Sequence, residues 1–164
     1  MKREELRAQI KGLKVEDIQH VFDEHLDKED GYLIDRIISE KKKIATTFSP
    51  KFGKKEILNM IKFCLLKDKT LEYLEDLSIE CKKYGVTDAR PITFNSSTVI
   101  GSGYFREKWH NWNDDGAVSC SQLRLFIYFD VNGHLNIKSA YPSVNNRDMA
   151  ALMKKQQENK KKRA

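Results

Sequence analysis

The chain has 164 residues, 40% apolar and 33% charged, with a formal net charge of +6. These proportions exclude a disordered polyelectrolyte, and no run approaches the roughly 18 consecutive apolar residues that a bilayer-spanning helix needs. The length suits one compact domain with a real core, and the positive balance favours a polyanionic partner.

The charge is unevenly placed. Setting aside Lys154, Lys155, Lys160, Lys161, Lys162, Arg163 and Glu158 leaves the rest of the chain close to neutral. Anion binding in the body therefore rests on a few placed cations, with the tail as a separate basic patch. The opening MKREELRAQIKGLKVED has no apolar h-region and does not read as a secretory signal. Cys64, Cys81 and Cys120 are odd in number and lack CxxC spacing. That argues against a disulfide frame or a zinc site, and for work in a reducing cytoplasm.

Residues 1–86 read as helical. VEDIQHVFDEHL sets Val15, Ile18, Val21, Phe22 and Leu26 near one face. After the break at KEDG, YLIDRIISE resumes the period through Leu33, Ile34, Ile37 and Ile38. KIATTFSPKFG, short and rich in Thr and Phe before turn formers, reads as an extended bridge. KKEILNMIKFCLL and KTLEYLEDLSIECKKYG are two more amphipathic helices, the first carrying Cys64 as core and the second ending at Gly85.

The pattern changes after Arg90. PITFNSS and TVIGSGYFR predict strands, with Gly101 and Gly103 permitting a bend or a close backbone approach. In QLRLFIYFDVNGHLNIKSAYP, Leu123, Leu125, Ile127 and Phe129 alternate and Asn132-Gly133 predicts a type I′ turn. The return strand then sets Leu135, Ile137, Ser139 and Tyr141 on one face. Pro142 stops that strand. NNRDMAALMKKQQENKKKRA predicts a helix fraying into a solvated basic tail. The sum is an α+β fold, with N-terminal helices packed against a C-terminal antiparallel sheet.

The return strand begins apolar and ends in a Ser-x-Tyr pair, as a strand does when it leaves a core for a cleft. The plainer alternative is that Tyr141 tops the core with its hydroxyl at the surface. Of four histidines, His134 belongs to the turn, and His110 lies in a polar, aromatic-flanked loop where it either stacks on a base or does nothing. His20 and His25 are five apart, about 140° around a helix, so they do not closely share one site. No HxxxH or HExxH pair recommends a metal. Arg36 interrupts an apolar stripe. It is either a structural ion-pair partner, beside Asp35, or a guanidinium fork facing a phosphate.

The order QHVFDEHLDK, YLIDRIISEKKKIATTFSPKFGKKEILNMI, TVIGSGYFR and LRLFIYFDVNGHLNIKSAYP resembles the ribonuclease A-like toxin domain of bacterial contact-dependent inhibition proteins. It has that family's H-x4-H-x-x-K opening, a Leu/Ile-x-Arg helix, a small-residue segment ending in Phe, and a closing hairpin ending in Thr/Ser-Ala-Tyr-Pro. The likeness spans roughly residues 17–143. The wider group of barnase, EndoU, colicin and RelE-type nucleases ends in similar hairpins. The resemblance implies a single ribonuclease domain over about 1–144, with a helical half to 86, a sheet half from 90, and a tail at 145–164. It implies catalytic roles for His25, Arg36, Ser139 and Tyr141, with Ser139 where the family more often has Thr. His20 matches the first motif histidine, in a structural or supporting role.

On that resemblance the activity is metal-independent endoribonuclease chemistry without cofactors. The 2′-OH of RNA attacks the adjacent phosphorus, with His25 as base, Arg36 and Ser139 on the phosphate, and Tyr141 donating to phosphate or stacking on a base. Arg106, Lys108, Lys138, His110 and His20 are candidate substrate contacts. The implied setting is a monomer, delivered into the cytoplasm of a target cell and neutralised by a cognate immunity protein. Two rivals remain. One is a non-catalytic RNA binder using Tyr104, Trp109 and Trp112 as stacking groups. The other is an immunity or antitoxin-type module whose basic tail meets an acidic partner.

Overall fold

A computed structural model describes residues 1–86, 88–107 and 110–163. In chain order the elements are α1 (Arg3–Lys11), a 3₁₀ turn (Val15–Ile18), α2 (Gln19–His25), α3 (Asp30–Ser39) and β1 (Ile44–Phe48). There follow α4 (Lys54–Leu65), α5 (Asp68–Tyr84), β2 (Arg90–Asn95), β3 (Gly101–Phe105) and the short α6 (Trp112–Asp115). β4 (Val118–Cys120), β5 (Gln122–Phe129), β6 (Leu135–Ser143) and α7 (Asn146–Arg163) complete the chain. The fold is α+β, with two three-stranded sheets of order β1-β3-β4 and β2-β5-β6. The predicted strands are therefore shared between two sheets, and the segment read as an extended bridge supplies β1.

The described residues divide into two compact units. One comprises Met1–Asp23, Lys51–Phe94 and Arg124–Ala140, the other Glu24–Pro50, Asn95–Leu123 and Tyr141–Ala164. Each mixes helix and strand, so the division does not follow the helical and sheet halves of the sequence.

In the first unit, α1 packs on α4 and α5, and an Arg3–Glu75 ion pair ties α1 to α5. Leu6, Ile10, Ile57, Ile61, Leu65, Leu71 and Leu74 are fully buried. α5 ends where the sequence placed it, because Gly85 takes a left-handed φ of 65° at no steric cost. Leu125, Ile127 and Phe129 are buried in alternation, as are Leu135 and Ile137. The hairpin is present but its turn is not type I′, which would need positive φ at Asn132 as well as at Gly133. Only Gly133, at 79°, has it. Gly133 N–H donates to Asp130 O at 2.9 Å, and the Asp130 carboxylate accepts Asn132 and His134 N–H at 2.9 and 3.0 Å. Asp130 thus organises a type I turn followed by a left-handed glycine, the other common hairpin solution. These hydrogen bonds, from the His134 backbone first and the Asn136 side chain next, hold the Asp130 carboxyl below its usual pKa.

In the second unit, β1 pairs antiparallel with β3 in the register Ile44↔Phe105, Ala45↔Tyr104, Thr46↔Gly103. Period two sorts the side chains onto two faces. Ala45 and Tyr104 join Leu33 and Ile37 of α3, with Ile34 and Trp112 packed beside them. On the other face Phe105, Val118, Cys120 and Val144 cluster with Ile44 and with Met149 and Leu152 of α7. Ile38, predicted on the apolar stripe of α3, is instead 64% exposed, because Leu33 and Ile37 fill the seam. Gly101 and Gly103 do serve close approach. A Cβ on Gly103 would overlap Ala45 O and Thr46, and one on Gly101 would overlap Thr47 O and Pro142. α7 is helical over Asn146–Arg163, so the stretch expected to fray into a tail is helix among the described residues.

Candidate active site

Within the second unit, His25 is the last residue of α2 and only 6% exposed. β1 is an edge strand. Lys43 O accepts Arg106 N–H and Ser49 N–H donates to Ile100 O, so the odd-numbered backbone groups of β1 turn toward β3. By the same period the Thr46 carbonyl turns to the open edge. His25 Nδ1–H donates to that carbonyl at 3.0 Å, satisfying a buried acceptor that would otherwise be orphaned. Thr47 Oγ1 clips the same junction, donating to His25 O at 3.0 Å and accepting Lys28 N–H at 3.2 Å. The Thr46 hydroxyl donates to Pro142 O at 2.7 Å, fixing the chain one residue past Tyr141.

The Thr46 bond sets the tautomer. With Nδ1 carrying the proton, Nε2 holds the lone pair, the form a general base requires. Burial, more than the nearby charges, lowers the imidazole pKa from its ordinary 6.5. The Thr46 contact and Glu24 raise it, while Arg36 and Lys42 lower it further. The ring lies against Tyr141, with centroids 5.3 Å apart.

Arg36, on the inner side of α3, has a side chain only 12% exposed. Its Nε donates to Glu40 at 2.9 Å, a charge-assisted bond at the i,i+4 spacing. Its Nη2 lies 3.9 Å from Glu24 Oε2, and the same oxygen is 3.6 Å from His25 Nε2. Asp35, read from sequence as able to pair with other cations, accepts the Ser39 hydroxyl. Imidazole, guanidinium and one carboxylate oxygen therefore converge.

The other sequence-derived residues fall in different places. Ser139, Lys138 and His20 belong to the first unit. Ser139 is half-buried and Lys138 exposed on β6, and His20 Nε2 meets Ile137 O at 2.9 Å, a structural contact. The burial phase of β6 shifts after Ile137, so that Ala140 and Pro142 become the buried positions while Ser139 and Tyr141 are half-covered. Arg106 is exposed, and Lys108 and Trp109 lie outside the described residues.

The substrate-contact role assigned to His110 is corrected by its surroundings. It is buried, its Nδ1 accepts Phe105 N–H at 3.1 Å, and its Nε2–H donates to Gly116 O at 2.7 Å. Both ring nitrogens are occupied in pinning the loop. Tyr104 stacks on it and is 4% exposed, and the Trp112 indole N–H donates to Phe105 O. Tyr104 and Trp112 are therefore packing residues rather than open stacking platforms.

Glu24, Glu40, Thr46 and Thr47 were not singled out from sequence. The Glu40 pairing was readable from its i,i+4 spacing to Arg36. The Thr46 and Thr47 roles depend on strand pairing, which no local pattern encodes. Among the described residues no three His, Cys, Asp or Glu side chains gather closely enough to hold a metal ion.

No protein-family model matches the chain, and no curated protein matches it. Among solved structures it is similar to a chain in the crystal structure of the CdiA-CT/CdiI complex from Y. kristensenii 33638, with a TM-score of 0.51 and 18% identity. The match covers 76% of this chain and 98% of that one. At such identity the likeness establishes a shared fold, one that takes in nearly the whole of the matched chain.

Proposed function

We propose that the chain is a toxin endoribonuclease of the contact-dependent inhibition type, cutting RNA by 2′-OH attack without a metal. One observation carries this reading: a buried histidine held in the Nδ1–H tautomer, its ring against Tyr141 and its Nε2 sharing the Glu24 carboxylate oxygen with the largely covered Arg36. That constellation matches the roles implied by the family resemblance, and the fold neighbour comes from a complex whose name is of the same kind of system.

In the proposed reaction His25 Nε2 takes the proton of the 2′-OH as its oxygen bonds to phosphorus. The bond from phosphorus to the 5′ oxygen breaks, leaving a 2′,3′-cyclic phosphate and a 5′-hydroxyl. Arg36 stabilises charge growing on the non-bridging oxygens. The leaving oxygen takes a proton from Tyr141 or from water. Tyrosine's ordinary pKa of about 10 makes it a weak acid that gains from a cationic neighbour. RNA supplies its own nucleophile, so cleavage is expected to persist in EDTA.

A second reading follows from the neighbour being a two-component complex: the chain is the immunity partner. One experiment separates the two. Induction in a bacterium is expected to arrest growth and fragment total RNA on a gel. Harmless expression with intact RNA would overturn the toxin reading, and protection by a co-expressed acidic partner would support it.

A further inference from the structure

The meeting of His25, Arg36 and Glu24 holds more than a catalytic pair, and the following inference rests on the nuclease reading. One oxygen, Glu24 Oε2, lies 3.6 Å from His25 Nε2 and 3.9 Å from Arg36 Nη2. In the reaction the space between this imidazole and guanidinium is where the 2′ oxygen, beside Nε2, and the phosphate it attacks, beside Arg36, would lie. We propose that the chain's own Glu24 carboxylate occupies the phosphate seat, and that an RNA or inorganic phosphate binds by displacing it.

Three features support displacement rather than a fixed structural bridge. Both distances exceed the usual 2.7–2.9 Å of a charge-assisted hydrogen bond, so Glu24 is weakly held. Its side chain is 51% exposed, against 8% for His25 and 12% for Arg36, so it has solvent to swing into while its two partners stay fixed. Arg36 also does not depend on Glu24 for its position, because Glu40 grips Nε at 2.9 Å and leaves the Nη2 end facing the seat. Glu40 is a positioning residue, and Glu24 is an occupant. Neighbouring helix residues do not normally face one another. Glu24 and His25 are the last two residues of α2, and their side chains approach at its end.

An occupied seat weakens apparent binding by the fraction of time it stands open. A seat open about a tenth of the time costs about tenfold in affinity. The test is titration of inorganic phosphate into the full chain at fixed pH and ionic strength, followed by the His25 ring resonances. Glu24→Gln removes the charge; Glu24→Asp keeps the charge but shortens the reach. We expect both to bind phosphate about tenfold tighter than the unaltered chain. Tightening by Gln alone would mean simple charge repulsion and would overturn the proposal, as would unchanged affinity in both. Cleavage is scored separately. Tightened phosphate binding in a chain that leaves RNA intact would remove the nuclease reading and leave the seat standing. Cleavage with unchanged affinities would do the reverse.

Discussion

His25 and His110 are both buried, both lie against a tyrosine ring, and both meet a backbone carbonyl. They differ in the second nitrogen. In His110 it accepts a backbone N–H, so the ring is tied at both ends and serves the loop. In His25 it faces a half-exposed carboxylate, whose same oxygen also lies near Arg36 and which can exchange partners. A histidine's burial says little about its role; what its second nitrogen faces says much more.

The difference can be broken by substitution. The largest expected effect is on chemistry: His25→Ala should lower RNA cleavage by about 10²–10⁴-fold, the usual loss for a general base, while circular dichroism reports a retained fold. Gly103→Ala comes next. It forces a Cβ into Ala45 O and Thr46 on the strand that holds the His25 carbonyl partner, and should cost about 3 kcal/mol in urea unfolding. His110→Ala should lose about 2–3 kcal/mol of stability through two vacated backbone partners and lost packing, with activity falling only as far as the folded fraction does. If His110→Ala abolished cleavage while remaining fully folded, the contrast drawn here would be reversed.

A pH series sharpens the same contrast. Burial first, and Arg36 with Lys42 after it, keep the folded-state pKa of His25 under its unfolded 6.5. A group depressed in this way contributes stability that is fully present above pH 6.5 and is lost as pH falls through the folded value. The active base is also the neutral ring, so the acid midpoint of activity should lie below pH 6.5. The acid loss of stability should be missing from the profile of His25→Ala. The smallest expected effect lies at the end of α3, where Lys41 sits at a left-handed φ of 56°. Lys41→Gly should stabilise by about 0.5–1 kcal/mol in thermal unfolding by relieving that strain.

Much of the fold was legible because it is periodic. The apolar alternation of Leu123 to Phe129 and the glycine after Tyr84 identify a strand and a helix end from local sequence alone. β4 is only three residues long and offers too little alternation to register. The hairpin turn was misread because Asn132-Gly133 carries the I′ signature, whereas the Asp130 side chain binds two backbone N–H groups and selects the other turn. His110 was misread because a polar, aromatic-rich stretch looks like an open loop until its backbone partners, Phe105 and Gly116, are known. His25, Arg36 and Tyr141 came from motif order. Their supports, Glu24, Glu40, Thr46 and Thr47, depend on where a helix ends and which edge of β1 lies open, and both are tertiary facts.

The most direct measurement is an end-group analysis of RNA incubated in EDTA with the purified chain and with His25→Ala. We expect 2′,3′-cyclic phosphate and 5′-hydroxyl ends from the first, none at comparable times from the second, and no cutting of DNA of the same sequence. Products ending in 3′-hydroxyl and 5′-phosphate, cleavage of the DNA, or full activity in His25→Ala would contradict the proposed chemistry.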